Sequence, residues 1–425
     1  MSQRSDAALV ITAFVLSAIA VWVLTDTLIP DRGSPRAVVK EVEELVRTHG
    51  VVQPADEDLA LAAARGIADS LDPWSVALSP ADREKDRFRH SGHYAGVGIV
   101  LEEDETGLVI LQVIRDGPAA RAGVCELEHV LAVDGVEVSK GRAVEETRGR
   151  LRGEKGSRVK LCLADTAGVQ HDVELSRDDV TQPTSWGCMV EDTPGLGVLV
   201  IETFYENTAA QAAEVLETLA AAGMRGLVID LRDNPGGLLN SPAEVARLFL
   251  GGRKLIVSTR GARTNGELRA EETAPWQELP LVVMMDGRTA SSAEVLAAAL
   301  QDHARAPLVG ERSFGKGVVQ QALALDSLPG AALRITTAHY FAPSGRCIER
   351  SLGLTAGQQG RGGLQPDLAV ACTPAERGAA DRLRDRWRYS AAVRARLAAR
   401  EQLADAPLAA ALALLQGQPP ADRRF

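Results

Sequence analysis

Several classes of protein are excluded by what this 425-residue sequence has little of. It contains five Cys, too few for a disulfide-rich scaffold, and none in the CxxC spacing of a metal site. Its 47 Lys and Arg stand against 57 Asp and Glu, and this acidic balance argues against a general nucleic-acid binder. Hydrophobic residues make up 45% of the chain, so disorder is excluded as its main state. The length suggests two or three folded units.

Lysine is also scarce. Only seven of the 47 basic residues are Lys, at positions 40, 85, 140, 155, 160, 254 and 316. Each retained Lys is therefore a candidate for a role that Arg cannot fill. The sequence contains no phosphate-binding loop that ends in Lys-Ser/Thr, no HExxH and no strand followed by GxGxxG. We therefore predict no metal and no organic cofactor.

The N-terminus carries a long uncharged run. Ala7 to Leu24 are eighteen residues without a charge, about 27 Å of helix, which is close to the thickness of the hydrocarbon core of a membrane. Ala18-Ile19-Ala20 resembles a signal-peptidase site, but it lies inside the run. We predict a retained signal anchor over residues 1–34, with the rest of the chain outside the cytoplasm. The alternatives are a cleaved signal peptide and a buried helix.

Helical and β-rich segments follow in turn. Residues 35–87 are predicted to be helical, since Val38, Val42 and Leu45 recur at helical spacing. Between 88 and 178 the chain changes to short β-runs separated by Gly turns.

The β-rich segment contains a glycine loop directly before a strand. Its residues are Gly96, Val97, Gly98 and Ile99. In such a loop several backbone N–H groups can point at one spot and hold an anion. "GPAARAGV" and then "VDGVEV" follow in order, and the set resembles a PDZ domain. The resemblance implies that the loop captures a peptide's C-terminal carboxylate while the peptide adds as a β-strand. A plain small β-domain with glycines for turns is the alternative.

From 196 onwards predicted strands alternate with helices, which indicates an α/β layer with largely parallel strands. One strand ends in "DLRDNPGG", a turn that can present an N–H towards a reacting carbonyl. Another ends in "MMDGRTASSAE", which places Ser291 at the start of a helix, a position suited to a nucleophile. Ser291 and Glu294 also have the spacing of a capping box, so a purely structural cap is the alternative.

A general base for Ser291 has to be found elsewhere in the chain. His303 lies twelve residues further along the same predicted helix, about 18 Å away. His339, in a predicted strand, is a second choice. Lys316, in "SFGKGVVQ", is the better candidate, because Lys can lose its proton near neutral pH and Arg cannot. Its pKa would have to fall from about 10.4 to near neutrality, at a cost of roughly 4 kcal/mol supplied by burial.

Taken together, these strings resemble the carboxyl-terminal processing, or tail-specific, proteases, a Ser-Lys peptidase family. The quoted motifs, with "LDPWSVALSP", "TTAHYFAPSGR" and "LQPD", lie in the expected order from about 37 to 375. The resemblance implies Ser291 as nucleophile, Lys316 as general base and Gln320 as the residue that orients it. The implied oxyanion donors are the N–H of Gly236 or Gly237 and that of Ser292.

This chain departs from the family pattern in two places. Ser292 stands where Ala is usual, and Ala293 stands where Ser is usual, which leaves Ser292 as a second candidate nucleophile. A polar insert, Thr355–Gly363, precedes "LQPD". Cys347 and Cys372 flank this insert, and in an oxidising compartment we predict a disulfide between them, with five reduced Cys as the alternative.

The predicted fold is α/β in its core and α+β overall, in five parts. These are a signal anchor (1–34), a helical region (35–87), a PDZ-like domain (88–178), a Ser-Lys protease core (179–375) and a C-terminal helical region (376–425). The predicted function is that of a serine endopeptidase acting through an acyl-enzyme. It would be anchored by a single span in the inner membrane, with its catalytic part in the periplasm or another extracytoplasmic space.

The predicted partners are the membrane and protein or peptide substrates with exposed C-termini, without nucleic acid. A homo-oligomer and an adaptor protein stay open. A non-catalytic PDZ scaffold and a Ser-His hydrolase using His339 are the alternative functions.

Overall fold

The computed structural model describes residues 33–104, 107–138, 143–263, 265–350, 362–398 and 404–417. The predicted signal anchor lies outside this part of the chain except for its last two residues, as does most of the Thr355–Gly363 insert. Within the described residues no helix is both long and apolar enough to span a bilayer. The chain divides into two compact units, one comprising residues up to Ser79 with Leu323–Leu333 and the other comprising Pro80–Ala322 with Arg334–Phe425.

The first unit contains the two helices predicted before residue 72. They are α1 (Pro35–His49) and α2 (Asp56–Asp69), followed by the short strand β1 (Val76–Leu78). Ser34 caps α1 by accepting a hydrogen bond from the Ala37 N–H at 3.2 Å. The predicted apolar stripe of α1 is present, but its valines and leucine are about half exposed.

The second unit begins with a helix and a β-rich region. Its elements are α3 (Pro80–His90), β2 (His93–Gly96), β3 (Ile99–Asp104), β4 (Gly107–Val113), α4 (Pro118–Arg121), β5 (His129–Val133), β6 (Val136–Glu137), α5 (Ala143–Leu151), β7 (Arg158–Ala164), β8 (Gln170–Ser176) and β9 (Asp178–Thr181). One sheet has the order β3-β4-β5-β7-β8 with β6 beside β5, and β2 pairs separately with β9. Its strands bury a core around Ile110, Leu161 and Leu163. Within the described sheet β3 is an edge strand.

The α/β layer predicted after residue 196 is present. Its elements are β10 (Ser185–Met189), β11 (Leu196–Ile201), α6 (Thr208–Ala221), β12 (Gly226–Asp230), α7 (Asn240–Arg247), β15 (Leu281–Met285), α8 (Ser292–Asp302), β16 (Leu308–Gly310) and β19 (Leu368–Ala369). The strand order is β10-β11-β12-β15-β16-β19, parallel from β11 onwards. The carboxyl ends of β12 and β15 therefore lie side by side, and this neighbourhood brings "DLRDNPGG" next to Ser291.

A second sheet joins strands from distant parts of the chain. It contains β13 (Leu255–Gly261), β14 (Asn265–Arg269), β17 (Val318–Ala324) and β18 (Ala332–Phe341). β13 pairs with both β14 and β18, and β17 pairs with β18. The hairpin of β17 and β18 follows Lys316, so it places Gln320 and Tyr340 near that lysine.

The C-terminal region was predicted to be helical, and its described residues contain three helices. They are α9 (Pro374–Arg386), α10 (Ala391–Ala398) and α11 (Ala406–Leu415). α11 covers the face of the parallel sheet opposite α6, α7 and α8, where Leu408 packs with Val228 and Met284. Strands β11, β12 and β15 are consequently buried on both faces, which explains their unbroken apolar runs.

The predicted disulfide is wrong, because Cys347 and Cys372 are both free. Their surroundings differ. The backbone of Cys347 forms an isolated antiparallel β-bridge with Phe341, whereas the backbone N–H of Cys372 donates to the Glu311 carboxylate at 3.1 Å. The alternative, five free Cys, is what the structure contains.

Candidate active site

Ser291 occupies the sharp corner between β15 and α8. It is the N-cap residue of α8, and its backbone angles are φ 58° and ψ −120°. A positive φ is unusual for any residue but glycine and costs on the order of 1–3 kcal/mol. Other hydrolases hold their nucleophile on a strained strand-to-helix turn of this kind. Ser291 and Glu294 also form the capping box that their spacing predicted.

The Gly-Gly turn lies directly against this corner. A Cβ at Gly236 would lie 2.7 Å from the Cβ of Ser291, and one at Gly237 would lie 2.1 Å from the Phe204 carbonyl oxygen. Both glycines have positive φ, 97° and 149°. Only glycine allows the backbone to pass this close to the nucleophile.

Gly236 and Gly237 were predicted as alternative oxyanion donors, and the structure favours Gly237. The Gly236 N–H donates to Asn234 Oδ1 at 2.8 Å, so it is held inside the turn and is not available to substrate. The N–H groups of Gly237 and Ser292 donate to no described residue. The site therefore offers Gly237 and Ser292 as the pair of donors.

Ser292 is turned away from the position of a nucleophile. Its hydroxyl donates to the carbonyl oxygens of Gly237 and Leu238, at 3.0 and 3.1 Å, and its side chain is buried. These bonds tie the Gly-Gly turn to the first residue of α8. The geometry thus favours Ser291 over Ser292 as nucleophile.

The side chains of Lys316 and Gln320 are in contact, as the family resemblance implied. Lys316 lies in the loop between β16 and β17, and its Nζ donates to Gln320 Oε1 at 3.4 Å. Both line a cavity of about 370 Å³ that Ser291 and the Gly-Gly turn also line. Its described lining contains no histidine. Among the described residues no group of three or more His, Cys, Asp or Glu is arranged to hold a metal ion.

Glu294 connects the two halves of the site. Its Oε2 accepts from the N–H of Ser291 at 2.8 Å and from that of Lys316 at 2.9 Å. Its Oε1 accepts from the Gly315 N–H at 2.8 Å and from the Ser313 hydroxyl. Burial raises the pKa of the Glu294 carboxyl, and these hydrogen bonds oppose the rise. One carboxylate therefore fixes the backbones of both candidate catalytic residues.

Tyr340 forms the wall of the cavity behind Lys316. Its phenol donates to the Lys316 carbonyl oxygen. Burial and the nearby Glu294 carboxylate raise the pKa of Tyr340 well above its ordinary value, against the effect of a hydrogen bond with Ser291. The phenol is therefore neutral at physiological pH. His339, the second-choice base, directly precedes Tyr340 on β18. Neighbouring residues of a strand point to opposite faces, so His339 lies on the other face of β18 from Tyr340.

Sequence reasoning missed several residues of the site. The sequence predicted Glu294 only as part of a helix cap and Tyr340 only as a residue of a strand. Arg334, which lines the same cavity and pairs with Asp86 at 3.0 Å, gave no signal in the sequence. Asn234 could have been found, since Asn before Pro-Gly-Gly is typical of a residue that bonds its own turn.

The predicted carboxylate loop also lines a cavity. Val97, Gly98 and Ile99 line a space of about 200 Å³. The carbonyls of Val97 and Gly98 accept from the N–H groups of Ala119 and Ile114, each at 2.9 Å, which holds the loop in place. Arg388, paired with Glu202 at 3.0 Å, lines the same cavity.

Comparison with known proteins identifies the family of this chain. The family model for peptidase family S41 matches residues 195–370, which contain both Ser291 and Lys316. The carboxy-terminal-processing protease of Bartonella bacilliformis is 35% identical over 324 residues, 74% of this chain and 72% of that protein. The carboxy-terminal processing protease CtpA of Bacillus subtilis is 30% identical over 348 residues, 80% and 73% of the two chains. The chain belongs to peptidase family S41.

A solved structure, that of a photosystem II D1 C-terminal processing protease, is 28% identical. It matches 79% of this chain and 93% of its own with a TM-score of 0.45. The two sequence relatives show that, within family S41, the chain is one of the carboxy-terminal processing proteases, a serine-type endopeptidase.

Proposed function

We propose that the chain is a membrane-anchored, extracytoplasmic Ser-Lys endopeptidase that recognises its protein substrates through their C-terminal tails. The main support for the catalytic part of this proposal is that the Glu294 carboxylate accepts hydrogen bonds from the backbone N–H groups of both Ser291 and Lys316. Because both side chains also line one cavity with the Gly-Gly turn, nucleophile, base and oxyanion donors face one space.

The mechanism follows from these positions. Ser291 Oγ attacks the peptide carbonyl carbon while neutral Lys316 Nζ takes the hydroxyl proton. The carbonyl electron pair becomes an oxyanion that the N–H groups of Gly237 and Ser292 stabilise. The intermediate collapses, the C–N bond breaks, and the leaving amine takes the proton from Lys316. In deacylation water gives a proton to Lys316 and its oxygen attacks the ester carbon. The C–O bond to Ser291 then breaks, Ser291 Oγ takes the proton back from Lys316, and the new C-terminal carboxyl group is released.

Gln320 orients the base in this proposal. Its Oε1 accepts from Lys316 Nζ and cannot take a proton, so it directs the amine without competing for the transfer. The apolar walls of the cavity, including Leu238, Leu239 and Val318, reduce the hydration that a charged ammonium requires.

Tail recognition is assigned to the PDZ-like region. The loop that contains Gly98 lines a cavity, and β3 leaves an open edge in the described sheet. A substrate tail would add beside β3 with its carboxylate at the loop.

Membrane anchoring rests on the uncharged run from Ala7 to Leu24. Cell fractionation with N-terminal sequencing tests it. We expect a membrane-bound protein that keeps residues 7–24, with its catalytic part accessible to protease in spheroplasts. A mature protein that starts near Val21 and is released from the membrane would contradict the anchor.

An active-site fluorophosphonate label, followed by peptide mapping, tests the catalytic proposal. Wild type should be labelled at Ser291, and Ser291→Ala and Lys316→Ala should each lose label and peptidase activity while keeping the wild-type circular dichroism spectrum. The exposed Lys254→Ala is the matched control and should label normally. A wild-type chain that folds but takes no label would favour a non-catalytic PDZ scaffold. Labelling that needs His339 and survives Lys316→Ala would favour a Ser-His hydrolase.

A further inference from the structure

A buried ion-pair cluster joins the C-terminal segment to the strand that leads into the Gly-Gly turn. Arg232 lies just after β12, and its guanidinium bonds two carboxylates at once. Its Nη1 and Nη2 donate to Asp405 at 2.9 and 2.8 Å, and its Nε and Nη2 donate to Asp230 at 2.9 and 2.7 Å. The Arg232 side chain is 7% exposed and that of Asp405 is 1% exposed. Such a buried bidentate pair fixes position more strictly than a surface ion pair does.

The backbone of Arg232 is held as firmly as its side chain. Arg384, on α9, donates to the Arg232 carbonyl oxygen at 2.8 Å. Two residues further on, the Asn234 side chain donates to the Ile201 carbonyl and accepts the Gly236 N–H, both at 2.8 Å. The Asn234 carbonyl accepts from Ala290, the residue before the nucleophile, at 2.9 Å. A displacement of Arg232 would therefore also displace residues 233–236 and change the position of the Gly237 N–H.

Asp405 is fixed in turn by its own helix. Its Oδ1 accepts from the Leu408 N–H at 3.0 Å and so caps α11. α11 is anchored on the outer face of the parallel sheet through Leu408 and Ala411. The carboxylate that faces Arg232 is thus attached to a packed helix. It comes from a point 173 residues away in sequence.

We propose that Asp405 is a positioning residue for the oxyanion turn: by pairing with Arg232 it holds the Gly237 N–H where the oxyanion forms, which makes the C-terminal segment part of the catalytic unit. The proposal rests on the Ser291–Lys316 peptidase function proposed above. Asp405 does not line the cavity of Ser291, so its proposed effect on the turn passes through Arg232. Its effect therefore belongs to transition-state stabilisation, which alters kcat, and not to substrate binding.

The test compares full-length Asp405→Asn with wild type, using a peptide substrate and fluorophosphonate titration to count functional sites. Asn keeps the cap of α11 but removes the charge that pairs with Arg232. We expect kcat per titrated site to fall about ten- to hundredfold with KM unchanged, because a displaced oxyanion donor loses part of its contribution. A peptide boronate, which mimics the tetrahedral intermediate, should lose affinity by the same factor.

Asp302→Asn is the matched control. It removes the charge of another carboxylate whose side chain is 8% exposed and which pairs with an arginine, Arg346 at 2.9 Å, but this pair lies at the end of α8 away from Ser291. It should lower the melting temperature and leave kcat per titrated site at the wild-type value. Should Asp405→Asn fail to fold, Asp405→Glu keeps the charge but displaces the carboxylate, and it should show the same loss of kcat. Wild-type kcat per titrated site in the folded Asp405 variant, or a loss confined to KM, would overturn the proposal. Absence of label at Ser291 in wild type would instead overturn the proposed function.

Discussion

At the scale of single residues, Ser291 combines a strained backbone conformation with the candidate nucleophile. Its positive φ costs free energy, and the Glu294 carboxylate offsets part of that cost by accepting the Ser291 N–H. The same carboxylate accepts the Lys316 N–H, so the interaction that stabilises the strained corner also sets the position of the base. Strain at a candidate nucleophile is expected when the surrounding hydrogen bonds over-determine its backbone.

Ser292 offers a test at this scale, because it replaces the alanine usual in the family. We expect Ser292→Ala to retain fluorophosphonate labelling at Ser291 and most of its activity. The hydrogen bonds to the Gly237 and Leu238 carbonyls are lost, so the free energy of unfolding should fall by about 1 kcal/mol in urea titrations.

The control for Ser292→Ala is Ser241→Ala. Ser241 is also buried, but its hydroxyl bonds to no described residue, so its loss should change the free energy of unfolding little. Abolition of labelling by Ser292→Ala would show that Ser292 is the nucleophile and would contradict the assignment of Ser291.

At the scale of elements, Asp286 organises the turn between β15 and α8. Its Oδ1 accepts from the N–H groups of Asp233 and Arg288 at 3.0 Å and from that of Thr289 at 3.1 Å. Burial alone would raise the pKa of Asp286, but these hydrogen bonds and the Arg288 guanidinium outweigh it and lower the pKa. The ionised carboxylate is therefore the form that stabilises the fold.

The sign of the pH dependence follows from this lowered pKa. Asp286 stabilises the folded state above its unfolded-state pKa of about 3.9, and the contribution is lost as the pH falls through the lower folded-state pKa. We expect Asp286→Asn to reduce the free energy of unfolding by about 1–3 kcal/mol at pH 7, and the difference from wild type to shrink below about pH 4. Denaturant titrations across this range measure it. The exposed Asp192→Asn should match wild type throughout, and an Asp286→Asn deficit that is constant with pH would contradict the account.

Elements were predictable from the sequence wherever the burial pattern was regular. The strands β11, β12 and β15 and the helices between them were found because buried parallel strands are short apolar runs between helices. The strands β13 and β14 were missed, since β14 is mostly exposed and β18, the partner of β13, lies far along the chain. Pairing between distant segments leaves no local signal.

The candidate site was predictable to the extent that it lies in continuous motifs. Ser291, Lys316 and Gln320, which the motifs named, line one cavity. The choice between Gly236 and Gly237 as donor could not be made from the sequence, because the direction of the Gly236 N–H depends on the Asn234 side chain and not on spacing. Asp405 gave no signal, because its partner Arg232 is remote in sequence.

At the scale of the whole molecule, the second unit has one cavity at the predicted carboxylate loop and another at Ser291. If the loop binds substrate tails, a free C-terminal carboxylate should matter even when cleavage occurs elsewhere in the peptide. We expect a long peptide substrate with a free C-terminus to have a kcat/KM at least about tenfold higher than its C-terminal amide, because the amide lacks the charge that the loop would hold.

Peptides too short to reach the loop are the control for the tail preference. Their free and amidated forms should be cleaved at equal rates. Equal kcat/KM for the long pair would contradict tail recognition while leaving the peptidase mechanism intact.

The central claim, that Lys316 is the general base for Ser291, is tested most directly by the pH–rate profile of wild type beside the activity of Lys316→Arg. Wild-type kcat/KM should rise with pH to a plateau, with a midpoint well below the free-lysine pKa of about 10.4. Lys316→Arg keeps the positive charge but cannot accept a proton, so we predict a loss of about 10³-fold or more, whereas the exposed Lys254→Arg should match wild type. A Lys316→Arg enzyme with activity near that of wild type would contradict the Ser-Lys mechanism.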